Sequence, residues 1–85
     1  MHTVEILEQS LDIAKLLGFE IRQEAFGGAG GGACEFKGQK FLFLDLSRNS
    51  IEQLEQVLEA LRDDPALHTV NLPGALQQLL ARRAA

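Results

Sequence analysis

At 85 residues the chain has room for one small domain, residues 1–85, and not for two. Its 46% hydrophobic and 24% charged residues are those of a folded globular protein, with disorder expected only in the glycine stretch and at the last few residues. The net charge of −4 excludes a general nucleic-acid binder, because such a protein needs a basic stripe to displace counterions.

A chain this short builds a thin core, and oligomerisation is a common way to bury the apolar surface left over. The single cysteine excludes an internal disulfide. No apolar leader precedes the first helical pattern and no apolar run approaches about 18 residues, so a soluble, cytoplasmic chain without membrane contact is expected. His2, Cys34 and His68 show no metal-site spacing, so no metal and no cofactor is expected.

TVEILEQSLDIAKLLG reads as a helix. Val4, Leu7, Leu11 and Ala14 recur at steps of three and four, Ile6, Ile13 and Leu17 widen the stripe, and Glu5, Glu8, Asp12 and Lys15 fall opposite. Thr3 is placed to cap its start, and Gly18 suits the left-handed position after its end. FEIRQEAF alternates, with Phe19 and Ile21 on one side and Glu20, Arg22 and Glu24 on the other, the pattern of a half-buried strand.

GGAGGGAC follows at residues 27–34, and then CEFKGQKFLFLDL reads as a hairpin. A Gly38-Gln39 turn of type II′ would oppose Phe36 to Phe41, Cys34 to Phe43 and Glu35 to Leu42. Cys34, Phe36, Phe41, Phe43 and Asp45 then share one face, expected beneath the helices, while Glu35, Lys37, Lys40, Leu42, Leu44 and Leu46 share the other.

SIEQLEQVLEALR is a second helix, with a Ser50–Gln53 capping box and a stripe of Ile51, Leu54, Val57, Leu58 and Leu61. Asp63-Asp64-Pro65 ends it, and Pro65 to His68 suits a single helical turn. A last helix opens at Asn71-Leu72-Pro73 and runs to about residue 82, with Leu72, Leu76, Leu79 and Leu80 apolar and Arg82 and Arg83 favourable at its C-terminus. The order α-β-β-β-α-α predicts an α+β fold: a three-stranded antiparallel meander with helices packed on one face. Pairing of the first strand at a sheet edge in another order stays open.

Gly28 to Ala33 matches the phosphate-binding pattern G-x-G-x-x-A in letters. That motif works through a helix N-terminus directly after it, and here a strand follows. A simpler anion site remains as an alternative, with the backbone N–H groups of Gly27, Gly28, Gly30, Gly31 and Gly32 turned inward. A thiol-dependent redox role for Cys34 is a further alternative; it requires an accessible sulfur of lowered pKa, whereas the hairpin register places Cys34 inward. Asp45 ends an apolar strand with no second carboxylate at a diagnostic spacing, so it is read as bonding backbone N–H groups of the connection at Ser47 to Ser50. His68 has no orienting partner in sequence.

FLFLDL is apolar on both faces. Burial of Leu42, Leu44 and Leu46 contributes roughly 5–8 kcal/mol, so either the last helix or another chain is expected to cover them. The function expected is therefore that of a non-catalytic protein-interaction or homodimerisation module, partnered by a second copy or another protein, with no nucleic acid.

The string GGAGGGACEFKGQKFLFLDL, followed by SIEQLEQVLEALR and NLPGAL, resembles a family of short uncharacterised bacterial proteins. These share a glycine-rich stretch, a cysteine, a K/R-G turn, an apolar strand ending in Asp and a helix beginning near E-Q-L. The resemblance covers most of residues 19–76 and implies a stand-alone bacterial cytosolic domain, with no activity, cofactor or catalytic residue attached. The α-β-β-β-α order is also similar to that of double-stranded-RNA-binding domains. Glu52, Glu55 and Glu59 stand where such domains carry a basic cluster, and they would repel phosphates.

Overall fold

A computed structural model describes residues 2–28 and 30–81. Helix α1 spans Thr3–Leu16, strand β1 Phe19–Glu24, strand β2 Gly32–Phe36, strand β3 Gln39–Asp45, helix α2 Ser50–Arg62, and helix α3 Gly74–Ala81, with a 3-10 turn at Pro65–Thr69. The α+β class and the one-sided helical layer hold. The antiparallel meander does not: the strand order is β1-β3-β2, with β1 parallel to β3 and β2 antiparallel to it.

Two local features produce this order. Between β2 and β3 the two-residue turn is Lys37-Gly38, with φ of 51° and 81°. Positive φ at both central positions is the signature of type I′, not the type II′ turn expected at Gly38-Gln39. Glycine adopts the second position freely, while Lys37 takes the left-handed region at a cost. The register shifts accordingly: Phe36 opposes Gln39, Cys34 opposes Phe41 and Ala33 opposes Leu42. Because the shift is by two, the residues sharing each face are those anticipated.

The second feature is the link between β1 and β2. These strands flank β3, so the link after Glu24 passes the C-terminal end of β3 to reach Gly32, a span of about 10 Å at normal strand spacing.

The faces are used in the opposite sense to that expected. α2 packs over β3 and α1 over β1, on the leucine side. Leu42 and Leu44 are 0% and 1% exposed and join Ile6, Leu7, Ile13, Ala14 and Leu17 of α1 with Leu54, Val57, Leu58 and Leu61 of α2. Phe19 and Ile21 lie across from Lys40 and Leu42, so the apolar half of β1 joins the same layer, while Glu20, Arg22 and Glu24 share the outer face with Phe41 and Phe43. α3 closes the helical layer against α1 and α2 through Leu76 and Leu80 and does not cover the sheet. Arg62 of α2 ties it down, donating to the carbonyls of Leu79 at 2.8 Å and Leu80 at 3.4 Å.

Helix ends differ from the expected ones by one residue. His2, not Thr3, is the N-cap of α1, and it makes no side-chain capping bond. The capping box of α2 is Asn49–Glu52, not Ser50–Gln53: Asn49 has the extended ψ of 170° and accepts from Glu52 N–H, and Glu52 returns a bond from Asn49 N–H. Gln53 instead donates to the Arg48 carbonyl. Ile51 falls outside the buried stripe and is exposed. The 3-10 turn forms where expected, its first N–H groups capped by Asp64. Arg82 and Arg83, read as a helix-terminal pair, lie outside the described residues.

Two outcomes follow in chemical denaturation. Leu42→Ala is expected to lower stability by about 2–5 kcal/mol, as buried truncations do, whereas Leu46→Ala, at a half-exposed position, is expected to change it by under about 0.5 kcal/mol. Lys37→Asn is expected to raise stability by up to about 1 kcal/mol, since asparagine accepts the left-handed region more readily.

Candidate functional site

The glycine segment is held from below by β3. Asp45, the last residue of that strand, is fully buried on the aromatic side of the sheet. Its Oδ1 accepts from the N–H of Phe26 and of Ser47, both at 2.9 Å, and its Oδ2 accepts from Gly28 N–H at 2.7 Å. Ser47 Oγ accepts from Gly27 N–H at 3.0 Å. Arg48 donates to the Gly28 carbonyl and to Glu52 Oε2, linking the loop to the first turn of α2. The expected bond from Asp45 to the connection after β3 is present, at Ser47, and the same carboxylate holds the loop.

The segment therefore turns backbone N–H groups toward an anion, and that anion is the protein's own. The N–H groups of residues 26–28 are engaged by Asp45 and Ser47, so this half of the loop has no free donors for an external anion. Burial pushes the Asp45 carboxyl upward, but the backbone donors of Phe26, Ser47 and Gly28 and the Ser47 hydroxyl outweigh it and hold the pKa at about 2, below the ordinary 3.8.

At the other end of the loop, Gly31 sits at φ +109°, and a Cβ there would overlap the Gln56 side chain of α2. Glycine is required here by the backbone conformation; the Gln56 amide, at the end of a flexible side chain, has room to swing aside. Ala29, the first variable residue of the phosphate-like pattern, lies outside the described residues. Cys34 and the beginning of β2 follow the loop, with no helix N-terminus, as that pattern would need.

Two surfaces meet at β2, which is a sheet edge. The first is the open face. Phe41 and Phe43 stack with ring centroids 6.1 Å apart, and Phe26 meets Phe43 edge-on at 6.4 Å. Phe36 is 63% exposed, with the Lys37 ammonium 5.3 Å from its ring. Cys34, expected inward, is exposed on this face opposite Phe41. Its sulfur is accessible, but His2 and His68 lie at the N-cap of α1 and in the 3-10 turn, outside the sheet. The interface expected at Leu42, Leu44 and Leu46 is not available as a row, because the first two are in the core.

The second surface is a channel between β2 and α2. Its two halves, of about 340 Å³ and about 600 Å³, share Ala33, Ala60 and Asp63. Lys40 lies at its floor, its ammonium 4.8 Å above the Phe19 ring and 2.6 Å from Asp64 Oδ2. Asp64 is itself buried; burial raises its carboxyl pKa, and the Lys40 bond and charge with the Ala66 N–H lower it further than burial raises it. No three His, Cys, Asp or Glu side chains gather as a metal site among the described residues.

No family model matches the sequence, and no curated protein or solved structure shows significant similarity to it.

Folding lowers the pKa of both Asp45 and Asp64, so their contribution is full above the ordinary carboxyl range and is lost as pH falls from about 4 toward about 2. Thermal unfolding followed by circular dichroism is expected to show a steep fall in Tm over that window. Asp45→Asn keeps the shape but places an N–H₂ group among N–H donors, so its Tm is expected to be lower at pH 7 and to fall less steeply below pH 4. Equal slopes for the two proteins would remove the Asp45 charge as the cause.

Proposed function

We propose that the protein is a non-catalytic interaction module whose docking surface is the open aromatic face of the sheet and whose partner is a second copy of the chain. One observation carries this reading: a one-sided helical layer leaves Phe36, Phe41, Phe43 and Phe26 together on the uncovered side, with Phe36 63% exposed. Phe26, Phe41 and Phe43 are half-buried beside it, and apolar surface gathered on one uncovered face marks an association site more often than an idle one.

Charge supports self-association. The outer side of β1 carries Glu20 and Glu24 around Arg22, and at the opposite flank the Lys37 ammonium reaches from the β2–β3 turn to 5.3 Å from the Phe36 ring. A two-fold axis along β3 sets the acidic flank of one copy over the β2 flank of the other, with the phenylalanines between them. Such a contact is self-complementary, as a two-fold interface has to be. The thin core of an 85-residue chain favours the same outcome. The glycine loop contributes indirectly, by fixing Phe26 beside Phe43 through the Phe26 N–H bond to Asp45.

Sedimentation velocity across a concentration series tests the reading. The wild-type chain is expected to be a dimer at micromolar concentration. Phe36→Glu is expected to dissociate at least about tenfold more readily, the order of effect when an interface aromatic is removed, with circular dichroism unchanged. Leu16→Glu, at a 71% exposed position on α1, is expected to remain dimeric. A wild-type monomer at every concentration overturns the proposal.

A further inference from the structure

We infer that the channel between β2 and α2 binds an extended peptide segment carrying Lys or Arg at alternate positions, which adds to the sheet as a fourth strand beside β2. This site is separate from the open face, because an added strand occupies the edge of the sheet and leaves the aromatic side uncovered.

The edge is the first requirement. β2 ends the strand order, so one side of its backbone has no strand partner. Its span, GACEF, contains no proline and no lysine, its one charge is Glu35, which itself lines the channel, and residues 33–36 are exposed. Strand addition to such an edge takes its affinity from the main chain and its selectivity from pockets that receive alternate side chains.

The channel supplies those pockets in register. Gly31, Gly32 and Ala33 lie beside Gln56, Glu59 and Ala60; Ala33, Cys34 and Glu35 lie beside Ala60, Asp63 and Asp64. α2 and β2 therefore run alongside each other in the same direction. Glu59 and Asp63 are separated by one helical turn, about 6 Å of rise, and alternate residues of an extended strand by about 6.8 Å. Successive side chains on the helix-facing side of an added strand thus reach successive carboxylates.

Charge names the occupant. Glu35, Glu59, Asp63 and Asp64 line the channel against the single cation Lys40. Lys40 is committed to Asp64, while Glu35, Glu59 and Asp63 are exposed and make no ion pair among the described residues. An acidic or neutral strand would bring no compensation to this wall. Gln56, at the glycine end, is held by one long bond to the Gly30 carbonyl at 3.4 Å and has an unpartnered Oε1, so it can turn to meet an incoming strand.

Fluorescence anisotropy with the full chain tests the inference, using three labelled eight-residue peptides: alternating Thr-Lys, and its Gln-for-Lys and Glu-for-Lys counterparts. The Lys peptide is expected to bind about tenfold tighter than the Gln peptide, with no saturable binding of the Glu peptide. Binding is expected to weaken with added salt. The double variant Glu59→Gln, Asp63→Asn, altered at exposed positions only, is expected to lose about the same tenfold for the Lys peptide and nothing for the Gln peptide. Methylation of alternate peptide N–H groups is expected to abolish binding, and amide shift changes are expected in residues 32–36. Equal affinity for the Lys and Gln peptides, wild-type affinity in the double variant, shift changes away from β2, or no binding of any peptide each overturns the inference.

Discussion

The architecture depends on one buried carboxylate. β1 and β2 lie on either side of β3, and the chain between them crosses the end of β3 with no helix or strand of its own to hold it. Asp45 stands at that end and accepts three backbone N–H bonds, two from the crossing segment and one from the turn that leads into α2. A crossing loop has to satisfy its own polar backbone where it passes over the sheet. An ionised carboxylate does this for several N–H groups at once, which is why burial fails to raise its pKa. The same residue thereby ties the crossing segment, Phe26 and, through Ser47 and Arg48, the start of α2 to the end of β3.

With β3 in the centre of the sheet, both of its faces matter, and the two are not equivalent. Leu42 and Leu44 interlock with the leucines and isoleucines of α1 and α2, and the neighbouring positions of β1 on that side are Phe19 and Ile21. On the other side the β1 neighbours are Glu20, Arg22 and Glu24, which need water. Burying the phenylalanine side under the helices would have buried those charges too, a cost far above the difference between leucine and phenylalanine burial. The charges of β1 decide which side of β3 faces the helices, and the phenylalanines remain outside as a consequence.

Much of this was legible in the sequence. The helices read correctly because their stripes run for several turns, as in Leu54, Val57, Leu58 and Leu61. The membership of each face of the hairpin was also readable, since a slip of two residues preserves it. What the letters concealed was pairing at a distance. Whether β1 lies beside β2 or beside β3 depends on Asp45 reaching residues 26 and 28, and nothing local to either segment announces that bond. The direction of the faces followed from the same missing fact: once Ile21 is known to lie across from Leu42, the buried side is determined. The sequence points Asp45 at the connection after β3, which it bonds at Ser47, while its second role over the glycines has no signal except the glycines themselves. The hairpin pattern puts Cys34 on the aromatic face, which the sequence alone sets beneath the helices; its exposure follows because that face is the open one.

The glycines have two functions that divide the segment. In its first half, residues 27 and 28 let successive N–H groups converge on Asp45 and Ser47. In its second half, Gly31 takes a φ of +109° and brings the backbone beside the Gln56 side chain of α2. This second contact has a consequence for the surface. Gly31, Gly32 and Ala33 are the residues that line the narrower half of the channel, and Ala60 faces them from α2. Larger residues at those positions would fill the space between β2 and α2 and turn a groove into ordinary packing. Small residues instead draw the helix to the sheet at one point and leave a trough beyond it, bounded by an unpaired strand edge and by a row of carboxylates. The glycines thus belong to the crossing loop in the interior and to the binding edge at the surface, and β2 is the element that joins these two uses.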